Sequence, residues 1–362
     1  MTRAALAGIK IADFSRVLAR PYATMLLADL GAEVVKVERP VTGDETRSWI
    51  PPVDSKGKST YFQSVNRNKT GITLDLSSEA DQVKARQLIV ESDVVVENFG
   101  AGGMRKFGLD YETIKKLNPK IIYCSITGFG SQGPLADLPG YDMLVQAMSG
   151  LMSITGDSDG EPTKVGVAVI DVIAGLHATT GILAALHSRE KSGIGQKVEI
   201  DLFSSALSGM ANQSGAFAAA GVNPSRIGNH HPSIVPYGVF KAKDRDLAIA
   251  IGNDKQYESF ANLIGLTENK YPHNIDRVKN REQLIQVINS KLSMKIAEAW
   301  IELFRKNGIP AGPINTIAEA FDFAKNNGLE AIVDVAGEKS VANPIKLSGT
   351  PVSYYKGSPN LD

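Results

Sequence analysis

The order of apolar and polar residues in the first half of the chain predicts short strands alternating with helices. Apolar runs that end in polar residues, such as residues 9–14 and 34–38, predict strands, and mixed segments such as 21–30 and 79–91 predict helices between them. The alternation continues to Cys124 and indicates a parallel sheet. We therefore expect an α/β fold with a doubly wound layer, whose ligand binds beyond the carboxyl ends of the strands.

The second half of the chain predicts a change of domain. Residues 168–190 predict one long buried helix, followed by a strand at 196–202 and a helix at 204–220. Residues 223–232 are rich in Pro, Gly, Asn and Ser, which is typical of a linker. We expect a large α/β domain over residues 1–222, completed by 325–362, and a smaller α/β domain over 236–313. The linkers are placed at 223–235 and 314–324.

Composition excludes several classes of protein. Lys and Arg number 39 and Asp and Glu also number 39, so no net charge favours nucleic acid or an anionic membrane as partner. Cys124 is the only cysteine, which excludes a disulfide within one chain. No run approaches the roughly 20 apolar residues of a membrane span, and no leader pattern opens the chain. We expect a cytoplasmic protein.

Two kinds of candidate site residue remain open on residue type alone. Asp171 follows an apolar run and precedes the long helix, so it is either an ordinary N-cap or a carboxylate whose apolar surroundings make it a nucleophile. His230 and His231 are adjacent and have no ligand partners at suitable spacing, so we expect no metal site. His177 is expected to be buried and hydrogen-bonded.

A glycine-rich turn and several cations suggest a polyanionic ligand. The turn at residues 100–103 follows a predicted strand, where backbone N–H groups can approach a pyrophosphate. Basic residues in this half of the chain could neutralise phosphates, although each could equally be a solvated surface charge. They are Arg39, Arg47, Arg67, Lys69, Arg105 and Lys106.

Several segments taken together resemble the family III CoA-transferases, the CaiB/BaiF group that includes formyl-CoA transferase, carnitine CoA-transferase and α-methylacyl-CoA racemase. The likeness covers nearly the whole chain. Its segments are LLADLGAEVVKVERP (26–40), GDETR (43–47), NRNK (66–69), VENF (96–99), CSITGFGSQGP (124–134), GYD (140–142) and GPIN (312–315).

The resemblance implies a fold, a reaction and a set of site residues. The fold is a Rossmann-like large domain with a small domain inserted late in the chain, and two subunits are interlinked. Coenzyme A or acyl-CoA is the substrate, no metal takes part, and the family's nucleophilic aspartate falls on Asp171. The CoA site would be lined by Arg39, Asn98, Phe99 and Lys106, with Arg67 and Lys69 as further candidates. Lys106 stands where the family often has Arg, so its phosphate contact would be a point charge.

The resemblance also narrows the substrate. Residues 150–156 and 233–240 are most similar to the branch that uses succinyl-CoA and dicarboxylates such as glutarate. A second carboxylate needs a cation, for which we expect Arg20 or Arg47. Tyr141 is placed with the substrate and stands where the racemases carry His. A phenol, with an ordinary pKa of about 10, suits racemisation poorly, which favours a transferase. A 2-methylacyl-CoA racemase or epimerase and a non-catalytic CoA-binding subunit remain the alternatives.

Overall fold

The computed structural model describes residues 4–100, 102–266 and 270–361, and the chain forms two compact units. The first unit comprises residues 1–152, 164–223 and 330–362, and the second comprises 153–163 and 224–329. Residues 153–163, which the sequence prediction left in the large domain, therefore pack with the second unit.

The helices and strands follow in chain order. The strands are β1 (Lys10–Phe14), β2 (Glu33–Glu38), β3 (Lys69–Thr73), β4 (Val94–Glu97), β5 (Ile122–Thr127), β6 (Lys197–Asp201), β7 (Tyr237–Lys241), β8 (Asp246–Ala250), β9 (Ala311–Pro313), β10 (Ile332–Val335) and β11 (Glu338–Val341). The helices are α1 (Ala19–Asp29), α2 (Thr60–Gln63), α3 (Glu79–Val90), α4 (Tyr111–Leu117), α5 (Asp142–Met148), α6 (Leu151–Ile154), α7 (Val169–Ser192), α8 (Leu202–Gly209), α9 (Asn212–Ala220), α10 (Asp254–Leu263), α11 (Asn274–Lys279), α12 (Arg281–Leu292), α13 (Ala297–Lys306) and α14 (Ile317–Asn326).

The first unit contains a parallel sheet with the order β3-β2-β1-β4-β5-β6. The chain moves outward from β1 to β3 and then returns to place β4 on the other side of β1. The loops after β1 and β4 therefore diverge at the carboxyl edge of the sheet. Such a divergence forms a crevice, which is where ligands bind in open α/β sheets.

Helices cover both faces of this sheet. Alternate residues of β4 show the arrangement, because Val94 and Val96 pack with α1 and α7 whereas Val95 packs with α3 and α4. Burial on both faces explains why the strands read as nearly continuous apolar runs. The predicted parallel α/β layer is confirmed.

Helix α7 is the long apolar helix that the sequence predicted. Of the described residues, it forms the one helix long and apolar enough to cross a membrane, but half of its most apolar window is buried within the protein, as in a core helix. It packs closely on α1, because a Cβ at Gly175 would lie only 2.5 Å from the carbonyl oxygen of Ala19. The glycine thus lets the start of α1 lie close to the second turn of α7.

The second unit contains the antiparallel sheet β7-β8-β9 and helices around a core of aromatic residues such as Phe240, Phe260 and Phe304. Both strands and helices occur in this unit, and it includes α14, which lies beyond the small-domain range expected from the sequence. In the first unit, the single helix predicted over 204–220 is two helices. They are separated at Ala211, whose φ of 40° is incompatible with a continuous helix.

Candidate active site

Asp171 is the third residue of α7, and not the N-cap that the sequence left open as its ordinary role. The N-cap is Ala168, whose side chain can accept no hydrogen bond. The Asp171 side chain is buried, with the residue 8% exposed. Burial raises the pKa of its carboxyl to about 6; the charge of Arg20 opposes this rise and the charge of Asp142 adds to it.

Asp142 and Gln146 of α5 hold the start of α7 in place. The backbone N–H groups of Ile170 and Asp171 donate to Oδ2 of Asp142 over 2.8 and 3.3 Å. Gln146 is fully buried, donates to Oδ1 of Asp142 over 2.5 Å and accepts from the backbone N–H of Val165 over 2.9 Å. Asp142 therefore replaces the missing side-chain cap, and the pair fixes the backbone that carries Asp171.

Asp171 lies in the wall of a cavity of about 320 Å³ at the carboxyl edge of the sheet. The loops that follow β1, β4 and β5 form most of the remaining wall. Four other residues that the sequence assigned to CoA or substrate line the same cavity, and these are Arg20, Asn98, Phe99 and Tyr141. The fold thus gathers into one cavity residues that are far apart in the sequence.

Arg20, in the first turn of α1, is a buried guanidinium in the wall of this cavity. The residue is 8% exposed, its Nη2 donates to the carbonyl oxygen of Ile126, and its Nε is buried without a hydrogen-bond partner. Among the described residues it takes part in no ion pair within 4 Å. Burial lowers the pKa of its guanidinium, and the charges of Asp171 and Glu97 oppose that change. Arg20 therefore faces both carboxylates without being paired with either.

The loop between β1 and α1 is held rigidly against the loop after β4. The amide of Asn98 accepts from the backbone N–H of Arg16 over 3.2 Å and donates to its carbonyl oxygen over 3.0 Å. Val17 has a φ of 73°, which is strained for a β-branched residue, and its N–H points to Asp44 at 3.3 Å. Asn98 thus shapes the cavity through the backbone.

A second cavity, also of about 320 Å³, brings together three of the predicted CoA residues. Arg39, Phe99 and Lys106 line it, and Arg16 and Phe99 line both cavities. Arg39 and Arg16 donate to the same oxygen of Glu45 over 2.7 and 2.8 Å. The second cavity is otherwise lined mostly by apolar side chains, with the carboxylates of Glu38 and Asp75, and it shares a wall with the Asp171 cavity.

Three other predicted cations lie in ion pairs and line neither cavity. Lys69 is fully buried and donates to Asp13 over 3.0 Å. Arg67 forms a two-bond contact with Asp29, and Arg47 forms one with Glu38; the ion-pair distances are 2.6 and 2.7 Å.

The glycine turn and the histidines have local structural contacts. Ala101 of the turn lies outside the described residues, while a Cβ at Gly103 would lie 2.6 Å from the Cβ of Phe99, so the turn packs tightly against Phe99. His177 is half-buried and lies 3.1 Å from the hydroxyl of Ser205, and His231 accepts from a backbone N–H two residues on. Of the described residues, no group of His, Cys, Asp and Glu side chains could hold a metal ion.

Sequence reasoning missed several residues of the site. Arg16 and Glu45 line the Asp171 cavity, and Gln146 and Asp142 position its helix. Tyr61 faces the same charges, because burial first and then Asp171 and Asp142 raise its pKa to about 12. The position of Arg16 directly after β1 was a usable signal, whereas nothing in the sequence indicates that a glutamine of α5 contacts residue 165.

The arrangement is suited to covalent acyl transfer. A weakly solvated carboxylate is a nucleophile toward an activated carbonyl, and an unpaired guanidinium beside it can compensate developing negative charge. The neighbouring cavity offers apolar side chains and the cations Arg39 and Lys106 to a nucleotide-like group.

Comparison with known proteins agrees with this chemistry. The family model of CoA-transferase family III matches residues 6–362. The chain is 41% identical over 370 residues to a succinate–glutarate CoA-transferase of Agrobacterium fabrum, covering 98% of this chain and 92% of the relative. It is 37% identical to an acetyl-CoA:oxalate CoA-transferase of Acetobacter aceti, covering 98% and 92%.

A solved structure shows the same fold. The crystal structure of a CaiB/BaiF family protein from Brucella suis superposes with a TM-score of 0.89 at 39% identity, covering 99% of this chain and 97% of the other. The chain therefore belongs to CoA-transferase family III, and the family resemblance is confirmed.

Proposed function

We propose that this protein transfers CoA from succinyl-CoA to a dicarboxylic acid through an aspartyl-CoA thioester on Asp171. The observation that carries the proposal is the buried carboxylate of Asp171, with a raised pKa, in a cavity that also contains the unpaired guanidinium of Arg20. The named activities of the relatives, on glutarate and on oxalate, support dicarboxylates as the acids.

The reaction proceeds by two acyl exchanges at one side chain. Asp171 attacks the thioester carbonyl, CoA leaves as a thiolate, and a mixed anhydride remains. The thiolate attacks the carbonyl carbon of Asp171 and releases the donor acid, which leaves the aspartyl-CoA thioester. An acceptor carboxylate then repeats these steps in reverse order. Covalent catalysis thus divides one difficult exchange into easier steps.

The CoA site is proposed to lie in the second cavity. Arg39 and Lys106 would contact phosphates, and Phe99 would separate the nucleotide from the reaction centre. Asn98 would act by holding the Arg16 backbone. We leave Arg67 and Lys69 out of this site, because both are buried in ion pairs away from the two cavities.

The acid is proposed to bind in the Asp171 cavity. A second carboxylate requires a compensating cation, and either Arg16 or Arg20 can provide the guanidinium group there. Arg47 is left out because both oxygens of Glu38 bind it. Tyr141 is 64% exposed at the cavity edge and would contact the substrate from the solvent side.

The finer arrangement of the fold is part of the proposal. The strand order β3-β2-β1-β4-β5-β6, with helices on both faces, supports a Rossmann-like unit. Exposed apolar side chains on α7, α8 and α9, which are Leu176, Leu207 and Phe217, support burial against a second copy in an interlinked homodimer. Light scattering of the purified protein tests the dimer.

We also propose a cytoplasmic location, which the free, buried thiol of Cys124 supports because it fits a reducing compartment.

A transfer assay tests the function. The purified protein is incubated with succinyl-CoA and, separately, glutarate, oxalate or butyrate, and new thioesters are identified by mass spectrometry. We expect glutaryl-CoA or oxalyl-CoA with a kcat/KM well above that for butyrate, and no product from Asp171→Asn. A racemase would form no new thioester, and a preference for butyrate would contradict the dicarboxylate assignment.

A further inference from the structure

We propose that Arg20 is a catalytic residue whose guanidinium binds the oxyanion formed at each tetrahedral step on Asp171. This inference rests on the proposed function, because it names the group that stabilises the intermediates of that reaction. Arg20 would therefore contribute to kcat for every acid, and not only to the selection of dicarboxylates.

The first observation is the unusual state of the Arg20 side chain. Its guanidinium is removed from water, yet one N–H group has no acceptor and no carboxylate lies within ion-pair distance among the described residues. A buried, unpaired charge is costly to the fold. Its cost is explained if the missing partner is a negative charge that is present only during the reaction.

The second observation is that four backbone N–H groups at or next to the cavity wall are already engaged. The N-terminus of α7 would be an obvious oxyanion site, but the N–H groups of Ile170 and Asp171 donate to Asp142. On the opposite wall, the N–H of Val17 points to Asp44 and the N–H of Phe99 donates to Glu97. The Arg20 guanidinium lines the cavity beside Asp171 and is thus a cationic donor that no carboxylate of the described residues occupies.

The chemistry places both oxyanions beside Asp171. In the first step, an oxygen of Asp171 bonds to the thioester carbon, the carbonyl electrons move to the acyl oxygen, and collapse breaks the C–S bond. In the second step, the CoA sulfur bonds to the carbonyl carbon of Asp171, the electrons move to the oxygen of that carbonyl, and collapse releases the donor carboxylate. No proton is consumed, so a fixed cation is a suitable stabiliser.

The competing role for Arg20 is to bind the remote carboxylate of a dicarboxylic acid. That contact would exist equally in the bound substrate and in the transition state, so its loss would raise KM for dicarboxylates alone. An oxyanion contact exists mainly in the transition state, so its loss would lower kcat for mono- and dicarboxylates together.

The test compares Arg20→Ala with wild type, using succinyl-CoA as donor and glutarate or butyrate as acceptor. We expect kcat to fall about 100-fold or more for both acids, with KM changed only a few-fold. Methylguanidinium, which fits the vacated space, should restore part of kcat. Arg86→Ala is the matched control, because Arg86 also has a buried Nε without a partner but lines none of the cavities described above.

The outcomes separate this inference from the function itself. A loss confined to glutarate and seen as a raised KM, or an unchanged kcat, would overturn the catalytic role of Arg20. If wild type makes no new thioester with any acid, the proposed function fails first. If Arg20→Ala does not fold, Arg20→Gln can keep the bond to Ile126 and gives the same decision from kcat on the two acids.

Discussion

The first unit contains two groups of buried charges, and only one of them forms ion pairs. In the first group, two buried lysines are paired with aspartates; in the second group, at the Asp171 cavity, the charges are not paired. Lys69 donates to Asp13, to Asn66 and to a backbone carbonyl, and all of these contacts are buried. Lys36 is likewise fully buried and donates to Asp44 over 3.0 Å. Burial alone would raise the pKa of Asp13, but the charges of the neighbouring lysines hold this pKa below its ordinary value.

The charges of the Asp171 cavity contrast with this network. Arg20 and Asp171 are nearly as buried, but neither takes part in an ion pair within 4 Å among the described residues, and the pKa of Asp171 is raised because burial outweighs its charged neighbour. A buried charge whose ion-pair and hydrogen-bond partners are all in place stabilises the fold. A buried charge that lacks an ion-pair partner is available to a substrate. The difference separates structural from functional charges within one unit.

The largest expected effect comes from breaking the saturated network. Lys69→Met removes the cation that is paired with the buried Asp13 and should lower the free energy of unfolding by about 3–5 kcal/mol. Urea denaturation at neutral pH measures this change. Lys84→Met is the control, because Lys84 is exposed and pairs only on the surface of α3. A loss below about 1 kcal/mol would contradict the structural role of Lys69. Weaker CoA binding by the folded variant would place Lys69 in the CoA site instead.

The opposite sign is expected for the unsaturated site. The raised pKa of Asp171 means that its ionisation destabilises the folded state above pH 6, by up to about 3 kcal/mol, and that this cost disappears as pH falls from 6 towards 4. Asp171→Asn should therefore be inactive but more stable than wild type at pH 7, with little gain at pH 4. Asp159→Asn, at an exposed position, should change neither. If Asp171→Asn were no more stable than wild type at pH 7, ionised Asp171 would not destabilise the folded state as proposed.

A smaller effect is expected at the cations of the second cavity. Arg39→Ala and Lys106→Ala should each weaken CoA binding by about 1.5–3 kcal/mol, and by less at high salt because both side chains are exposed. Isothermal titration calorimetry measures the affinity. Arg67→Lys, which keeps the charge that faces Asp29, should leave CoA affinity unchanged. Unchanged affinity in both cavity variants would remove phosphates from this site.

The smallest effect is the pH dependence of the reaction. Only ionised Asp171 is nucleophilic, so kcat/KM should fall about tenfold per pH unit below about pH 6 and level off above it. The charged or titratable groups that act on this carboxyl, or that it acts on, are Arg20, Asp142 and Tyr61. Arg20→Gln should move the acidic limb to higher pH, whereas Arg86→Ala should not move it. A limb that stays near pH 4 in wild type would show that Asp171 is well solvated.

Much of the first unit could be predicted from the sequence, because its strands are buried on both faces and its helices have clear apolar patterns. The Asp171 motif and three residues that line the second cavity, Arg39, Phe99 and Lys106, could also be located by resemblance. The role of each cation could not. Arg20, Arg47 and Lys69 are all cations in the first 70 residues, and only the fold shows which of them meets a carboxylate of the chain.

The features of the structure that could not be predicted from the sequence have a common physical cause. The break at Ala211 and the contact of Gln146 with residue 165 depend on tertiary packing and not on local preference. Asp142 likewise acts as a cap for a helix that begins 27 residues later in the chain, at Val169. Sequence spacing carries no sign of such a contact.

The mass of the reaction intermediate tests most directly whether Asp171 forms a thioester with CoA. Wild-type protein is mixed with succinyl-CoA without acceptor, quenched in acid and digested, and the peptide that contains residues 169–189 is analysed by mass spectrometry. We predict a CoA-sized adduct on Asp171 that disappears when glutarate is added, and no adduct in Asp171→Asn. An adduct on another residue, or rapid transfer by folded Asp171→Asn, would contradict the central claim.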